Sequence, residues 1–127
     1  MGSFLEGPSF DRAGNLHIAD NRDQVLYVRT ASGALRRPIR DRGGFSPESI
    51  HFGGEALFIT DSEHGKLYRY SPQDGLSTIA AFAGSLANVQ GIASDESGNL
   101  YVSVQSDLDN RRGYVLRLTR RRPLTAR

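Results

Sequence analysis

The chain has 127 residues, 16 Lys plus Arg against 14 Asp plus Glu for a formal net charge of +2, 38% hydrophobic residues, 14 glycines and no cysteine. Its length suits one ordinary core, and the missing cysteines exclude a disulfide framework, a thiolate zinc site and a thiol nucleophile. No apolar run approaches the roughly 20 residues that span a bilayer, residues 1–10 show no secretory pattern, and Glu6 stands where a myristoylation signal takes Ser or Thr, so the expectation is a soluble, cytoplasmic protein with no membrane partner.

In chain order, the first predicted strand is Pro8 to Phe10, followed by the Leu-containing stretch Gly14-Asn15-Leu16-His17-Ile18-Ala19-Asp20 and the Tyr-containing stretch Val25-Leu26-Tyr27-Val28-Arg29. An outer strand over Leu35 to Ile39 completes a set of four. The set then repeats. Ile50 to Phe52 is followed by Glu55-Ala56-Leu57-Phe58-Ile59-Thr60-Asp61, Lys66-Leu67-Tyr68-Arg69-Tyr70 and Leu76 to Ala80; Ile92 to Ser94 by Gly98-Asn99-Leu100-Tyr101-Val102-Ser103-Val104 and Tyr114-Val115-Leu116-Arg117-Leu118. The leucines at 16, 57 and 100 lie 41 and 43 residues apart. The third copy carries an insertion near Asp107 to Arg112, and its outer strand would fall after Thr119 in an arginine-rich segment.

Short runs rich in β-branched and aromatic residues, separated by Gly, Asp, Asn, Ser and Pro, read as strands joined by tight turns. A period of about 40 to 50 residues holding four such strands is the pattern of a β-propeller blade. The predicted fold is therefore all-β: three four-stranded antiparallel blades at about 1–40, 41–83 and 84–122, with a basic tail over 120–127. Three blades do not close a ring, because propellers hold about 4 to 8. The expectation is a piece of a longer protein, or a half that pairs with a second copy to make a six-bladed homodimer.

The residues at the start of each innermost strand carry the chemistry. Leu5-Glu6-Gly7-Pro8, Pro47-Glu48-Ser49-Ile50 and Val89-Gln90-Gly91-Ile92 place their polar members 42 residues apart. In a propeller the innermost strands line the channel, so Glu6, Glu48 and Gln90 converge at one face. Asp20 and Asp61 end the second strands at that same face, since neighbouring strands are antiparallel. The resulting oxygen-rich rim suits one hard divalent cation, Ca²⁺, Mg²⁺ or Mn²⁺, or Zn²⁺ if a histidine joins. For Asp20 and Asp61 the preferred reading is plainer: a carboxylate after a strand accepts backbone N–H groups of the turn.

Leu5-Glu6-Gly7-Pro8, the Asp11-to-Asp20 stretch with its Gly-Asn-Leu core, and Thr60-Asp61-Ser62 through Leu67-Tyr68-Arg69-Tyr70 together resemble the senescence-marker-protein/gluconolactonase family, which includes regucalcin and bacterial lactonases. The resemblance covers most of residues 4–119 and about half of a full-length member. It implies a six-bladed propeller with one axial divalent metal that hydrolyses lactones and related esters, the cation polarising the carbonyl and activating water. On this chain it implies Glu6 and Glu48 as metal ligands, Asp61 as general base, and Gln90, Asp20 and His51 as substrate contacts. Glu48 departs from the Asn usual at its place, and Gln90 from Asn or Asp.

The remaining candidates read as structural. His51, in an innermost strand, has a conceivable metal or acid–base role, but packing or solvation is the commoner fate of it, His17 and His64. Ser9, Ser49 and Ser62 lie outside any Gly-x-Ser-x-Gly context and give no serine-hydrolase signal. The blade tyrosines read as packing residues. The arginine pairs and the Arg120-Arg121-Arg122 run come without a nucleic-acid motif, so no nucleic-acid partner is expected. The rival to a lactonase is a non-catalytic propeller of the NHL-repeat type, which shares the Gly-Asn-Leu-Tyr-Val pattern and binds a protein or other partner.

Overall fold

A computed structural model describes residues 5–39, 44–105 and 113–119. Among the described residues eleven strands run in this order: β1 (Leu5–Phe10), β2 (Leu16–Asp20), β3 (Val25–Arg29), β4 (Leu35–Ile39), β5 (Ile50–Gly53), β6 (Ala56–Asp61), β7 (Lys66–Ser71), β8 (Gly75–Ala81), β9 (Val89–Ser94), β10 (Leu100–Val104) and β11 (Tyr114–Leu118). One 3₁₀ turn, Gly84–Leu86, joins the second set to the third. The strands form antiparallel meanders ordered β1-β2-β3-β4, β5-β6-β7-β8 and β9-β10-β11. The fold is a partial β-propeller, as the repeat predicts. The insertion near Asp107 to Arg112, the boundary at residue 40, the third outer strand and the basic tail lie outside the described residues.

Alternation along the middle sheet supplies two packing faces, because successive strand residues point to opposite sides. Leu57, Ile59 and Tyr68 meet Ala19, Leu26 and Ile39 of the first sheet, with Phe45 and Ile50 completing the cluster. Leu67, from the opposite face, joins Val89, Leu100, Val102 and Val104 of the third sheet. The Phe45 and Tyr68 rings meet edge to face with centroids 5.4 Å apart. Three sheets are thus stacked face to face, with the middle one apolar on both sides.

The inner strands are longer than the sequence suggests. β1 begins at Leu5 and β9 at Val89, so Glu6 and Gln90 lie within strands. The reason in β1 is a bulge: pairing with β2 holds at Leu5↔Asp20 and Glu6↔Ala19, breaks, and resumes at Ser9↔His17. Gly7 sits in that bulge with φ of 38°. A Cβ there would stand 2.9 Å from the Glu48 carbonyl oxygen and from the Ser49 Cα, so a glycine lets the first and second inner strands touch.

Two hairpin turns share one device. Asp11 Oδ1 accepts the Ala13 and Asn15 backbone N–H groups at 3.0 and 2.9 Å, and its Oδ2 accepts Asn15 Nδ2 at 3.0 Å and meets His17 Nε2 at 2.9 Å. Asp95 repeats the pattern with Ser97, Asn99 and the Tyr101 hydroxyl. Partial burial opposes ionisation of Asp11, but hydrogen bonds from His17 and Asn15 outweigh it and hold its carboxyl at about 2. The Asn99 side-chain bond pulls Asp95 in the same direction. A carboxyl lowered in the folded state stabilises fully above its unfolded value of 3.8 and loses that contribution as pH falls through about 2. Thermal midpoints measured between pH 5 and 2 should therefore drop, and Asp11→Asn should show a shallower drop over that window.

Candidate functional site

The starts of the three inner strands are neighbours. Gly7 rests on the Glu48–Ile50 backbone. Thr60, in β6, accepts the Ser49 N–H at 3.2 Å and donates its hydroxyl to the Gln90 carbonyl at 2.7 Å. Backbone bonds from Glu48 N–H to the Thr60 carbonyl, 2.9 Å, and from Thr60 N–H to the Ser49 carbonyl, 3.0 Å, extend the β5–β6 pairing past the end of β5. One buried threonine thus ties the second inner strand to the third. The linking role of Thr60 is not legible in the sequence, where its place just before the strand-ending Asp61 is the one available signal.

The polar side chains at this end differ in how committed they are. Half-buried Glu6 has no hydrogen bond or ion pair among the described residues. Glu48 accepts a short hydrogen bond from the Ser62 hydroxyl. Gln90 donates from Nε2 to Asn88 Oδ1 at 2.8 Å.

Asp61 is fully buried and its oxygens are occupied. Oδ2 accepts the Ser46 N–H at 2.8 Å and lies 3.1 Å from the Tyr68 hydroxyl; Oδ1 accepts the His64 N–H at 2.9 Å, and His64 Nδ1 lies within 3.0 Å of both oxygens. The Tyr68 hydroxyl also faces the Gly44 carbonyl at 3.0 Å. Burial, then the Asp61 charge and hydrogen bond, push the Tyr68 hydroxyl well above its ordinary value. It stays a neutral donor. These contacts give Asp61 the task of fastening the β6–β7 turn and the segment entering β5.

Asp20 holds the equivalent turn of the first sheet, accepting the Arg22 and Asp23 N–H groups at 3.1 and 2.9 Å. It too is fully buried, and its Oδ2 finds no partner among the described residues. In the third sheet the matching position is Val104, buried among apolar side chains. His51 is the second residue of β5, paired with Phe58, and its Nε2 is 2.7 Å from Ser94 Oγ. The structure therefore gathers Glu6, Glu48 and Gln90 at one end, sets Asp20 and Asp61 into turns beside them, and places His51 apart. Among the described residues no three His, Asp or Glu side chains come together as a metal site.

No protein-family model matches the chain, and no curated protein matches it. Solved structures do. A protein provisionally named a gluconolactonase superposes with a TM-score of 0.71 at 16% identity, over 91% of this chain and 45% of its own. Virginiamycin B lyase from Staphylococcus aureus gives 0.68 at 10% identity, over 92% of this chain and 42% of its own. A streptogramin B lyase gives 0.68 at 17%, over 90% and 40%. These neighbours are β-propellers, and the likeness is one of fold. The chain spans less than half the length of each.

Proposed function

We propose that the chain forms one sector of a propeller hydrolase that cleaves lactones or related esters with a divalent cation at the ring axis. The reading is carried by one observation: Glu6, Glu48 and Gln90 begin three adjoining inner strands at one end, and Glu6 has no competing partner among the described residues. The described residues do not by themselves fit a cation, since they offer two carboxylates, Glu6 and Glu48, where hard divalent ions take about six oxygens. The other donors would come from further blades, supplied by more of the same protein or by a second copy closing a six-bladed ring.

The full commitment of Asp61 to its turn favours a second reading, a non-catalytic propeller module that binds a protein or other partner. Two measurements separate them. Calorimetric titration with Ca²⁺, Mn²⁺ and Zn²⁺, paired with hydrolysis of a sugar lactone, should show cation-dependent turnover, and Glu6→Ala should lower both affinity and rate by at least about tenfold. Sedimentation velocity under the same conditions gives the assembly that acts. Cation-dependent turnover that survives Glu6→Ala removes the site; a folded assembly that neither binds a cation nor cleaves the lactone leaves the binding module.

A further inference from the structure

The far ends of the inner strands, away from Glu6 and Glu48, open onto a groove of about 900 Å³ between the second and third sheets. Its walls include Phe58, Ile79 and Leu100, with the guanidinium-bearing Arg12 and Arg69 on the same lining. Ser94, the last residue of β9, also lines it. Ser94 Oγ lies 2.7 Å from His51 Nε2 across the two inner strands. Between them the second strand carries Gly53: a Cβ there would stand 3.3 Å from Ser94 Oγ and 3.4 Å from His51 Nε2, so glycine keeps open the space beside the pair. Burial pushes the His51 imidazole below its ordinary value, which leaves it neutral and able to accept a proton near neutral pH.

We infer that Ser94 and His51 form a nucleophile–base pair in this groove, reactive toward small carboxylic esters whose apolar portion rests on Phe58, Ile79 and Leu100. A serine activated by a hydrogen-bonded base is recognised by that geometry and not by a sequence context. Ser94 Oγ bonds to the acyl carbon as its proton passes to His51 Nε2. The ester C–O bond then breaks, and the departing alcohol oxygen takes that proton from His51. Water repeats the sequence, its proton going to His51 and then to Ser94 Oγ as the acid leaves. Nothing in these steps needs a cation, so this reactivity is independent of the site at the other end of the strands.

The test uses p-nitrophenyl acetate as probe, in excess EDTA, with peptide mass spectrometry of the labelled chain. An acetyl group on Ser94 is expected, with p-nitrophenolate release that EDTA leaves intact. Ser94→Ala should abolish the adduct. Because the two side chains also join neighbouring strands, His51→Gln is the sharper variant: its amide can still hydrogen-bond Ser94 but cannot take the proton. At an unchanged thermal midpoint it should slow acylation by about a hundredfold, the usual contribution of a positioned base. No acetyl on Ser94, or equal labelling in folded His51→Gln, overturns the assignment. EDTA silences cation-dependent lactone cleavage alone, so the two sites fail separately.

Discussion

Asp61→Ala is expected to destabilise the fold by about 1–3 kcal/mol, because a buried donor left unmet costs about that much and the buried Ser46 N–H loses its acceptor, while the exposed His64 can turn to water. The Ser46 N–H is left facing an apolar methyl, the His64 N–H and imidazole lose the carboxylate that fixes their turn, and the Tyr68 hydroxyl keeps only the Gly44 carbonyl. For a domain of this length the thermal midpoint should fall by about 4–10 °C, which differential scanning calorimetry reads directly. Asp61→Asn adds a functional readout. It keeps one acceptor oxygen but sets an NH₂ among donors, so a structural role predicts an intermediate fall in midpoint. An unchanged midpoint with lost lactone cleavage would instead restore Asp61 as the base that the family resemblance implies.

Gly65→Ala should be at least as damaging, at about 2–5 kcal/mol, combining a left-handed backbone penalty of about 1–2 with over-packing of about 1–3 kcal/mol. Gly65 has φ of 63°, and a Cβ on it would come within 2.6 Å of the Phe82 carbonyl oxygen and 3.0 Å of the Ala87 Cβ. The Phe82 N–H also donates to the Gly65 carbonyl at 2.7 Å. Backbone cannot retreat as a flexible side chain does. The β6–β7 turn is therefore pressed against the crossing from the second sheet to the third, and the added methyl should part them. Urea titration followed by intrinsic tyrosine fluorescence checks the prediction, with Gly33→Ala, whose Cβ would meet nothing within 4 Å, as the control for left-handed backbone alone.

What made the architecture legible was repetition. Leucines at 16, 57 and 100 and tyrosines at 27 and 68 put corresponding residues on corresponding strands. The same arithmetic set Glu6, Glu48 and Gln90 at one end. Periodicity says nothing of how far a side chain is already committed, however. Asp61 and Glu6 look alike as exposed-type carboxylates in a sequence, yet one is buried under five polar contacts and the other has none among the described residues. The bulge at Gly7 was likewise hidden, since it depends on the approach of a strand 42 residues away. His51 was a candidate, but its pairing with Ser94 escaped notice because the two are offset by one position in the repeat and meet only when two sheets stack.

Thr60 has a consequence for how the chain comes apart. Within each sheet the ladders join residues close in sequence, whereas passage from one sheet to the next relies on side-chain packing and on a few links such as the Thr60 hydroxyl to the Gln90 carbonyl. Chains coupled only to their neighbours lose order in stages. Thr60→Val, which keeps shape and deletes that hydroxyl, should therefore speed amide deuterium uptake in β9 and β10 while β2 and β3 exchange as before, so that one oxygen atom sets how cooperatively the sectors melt.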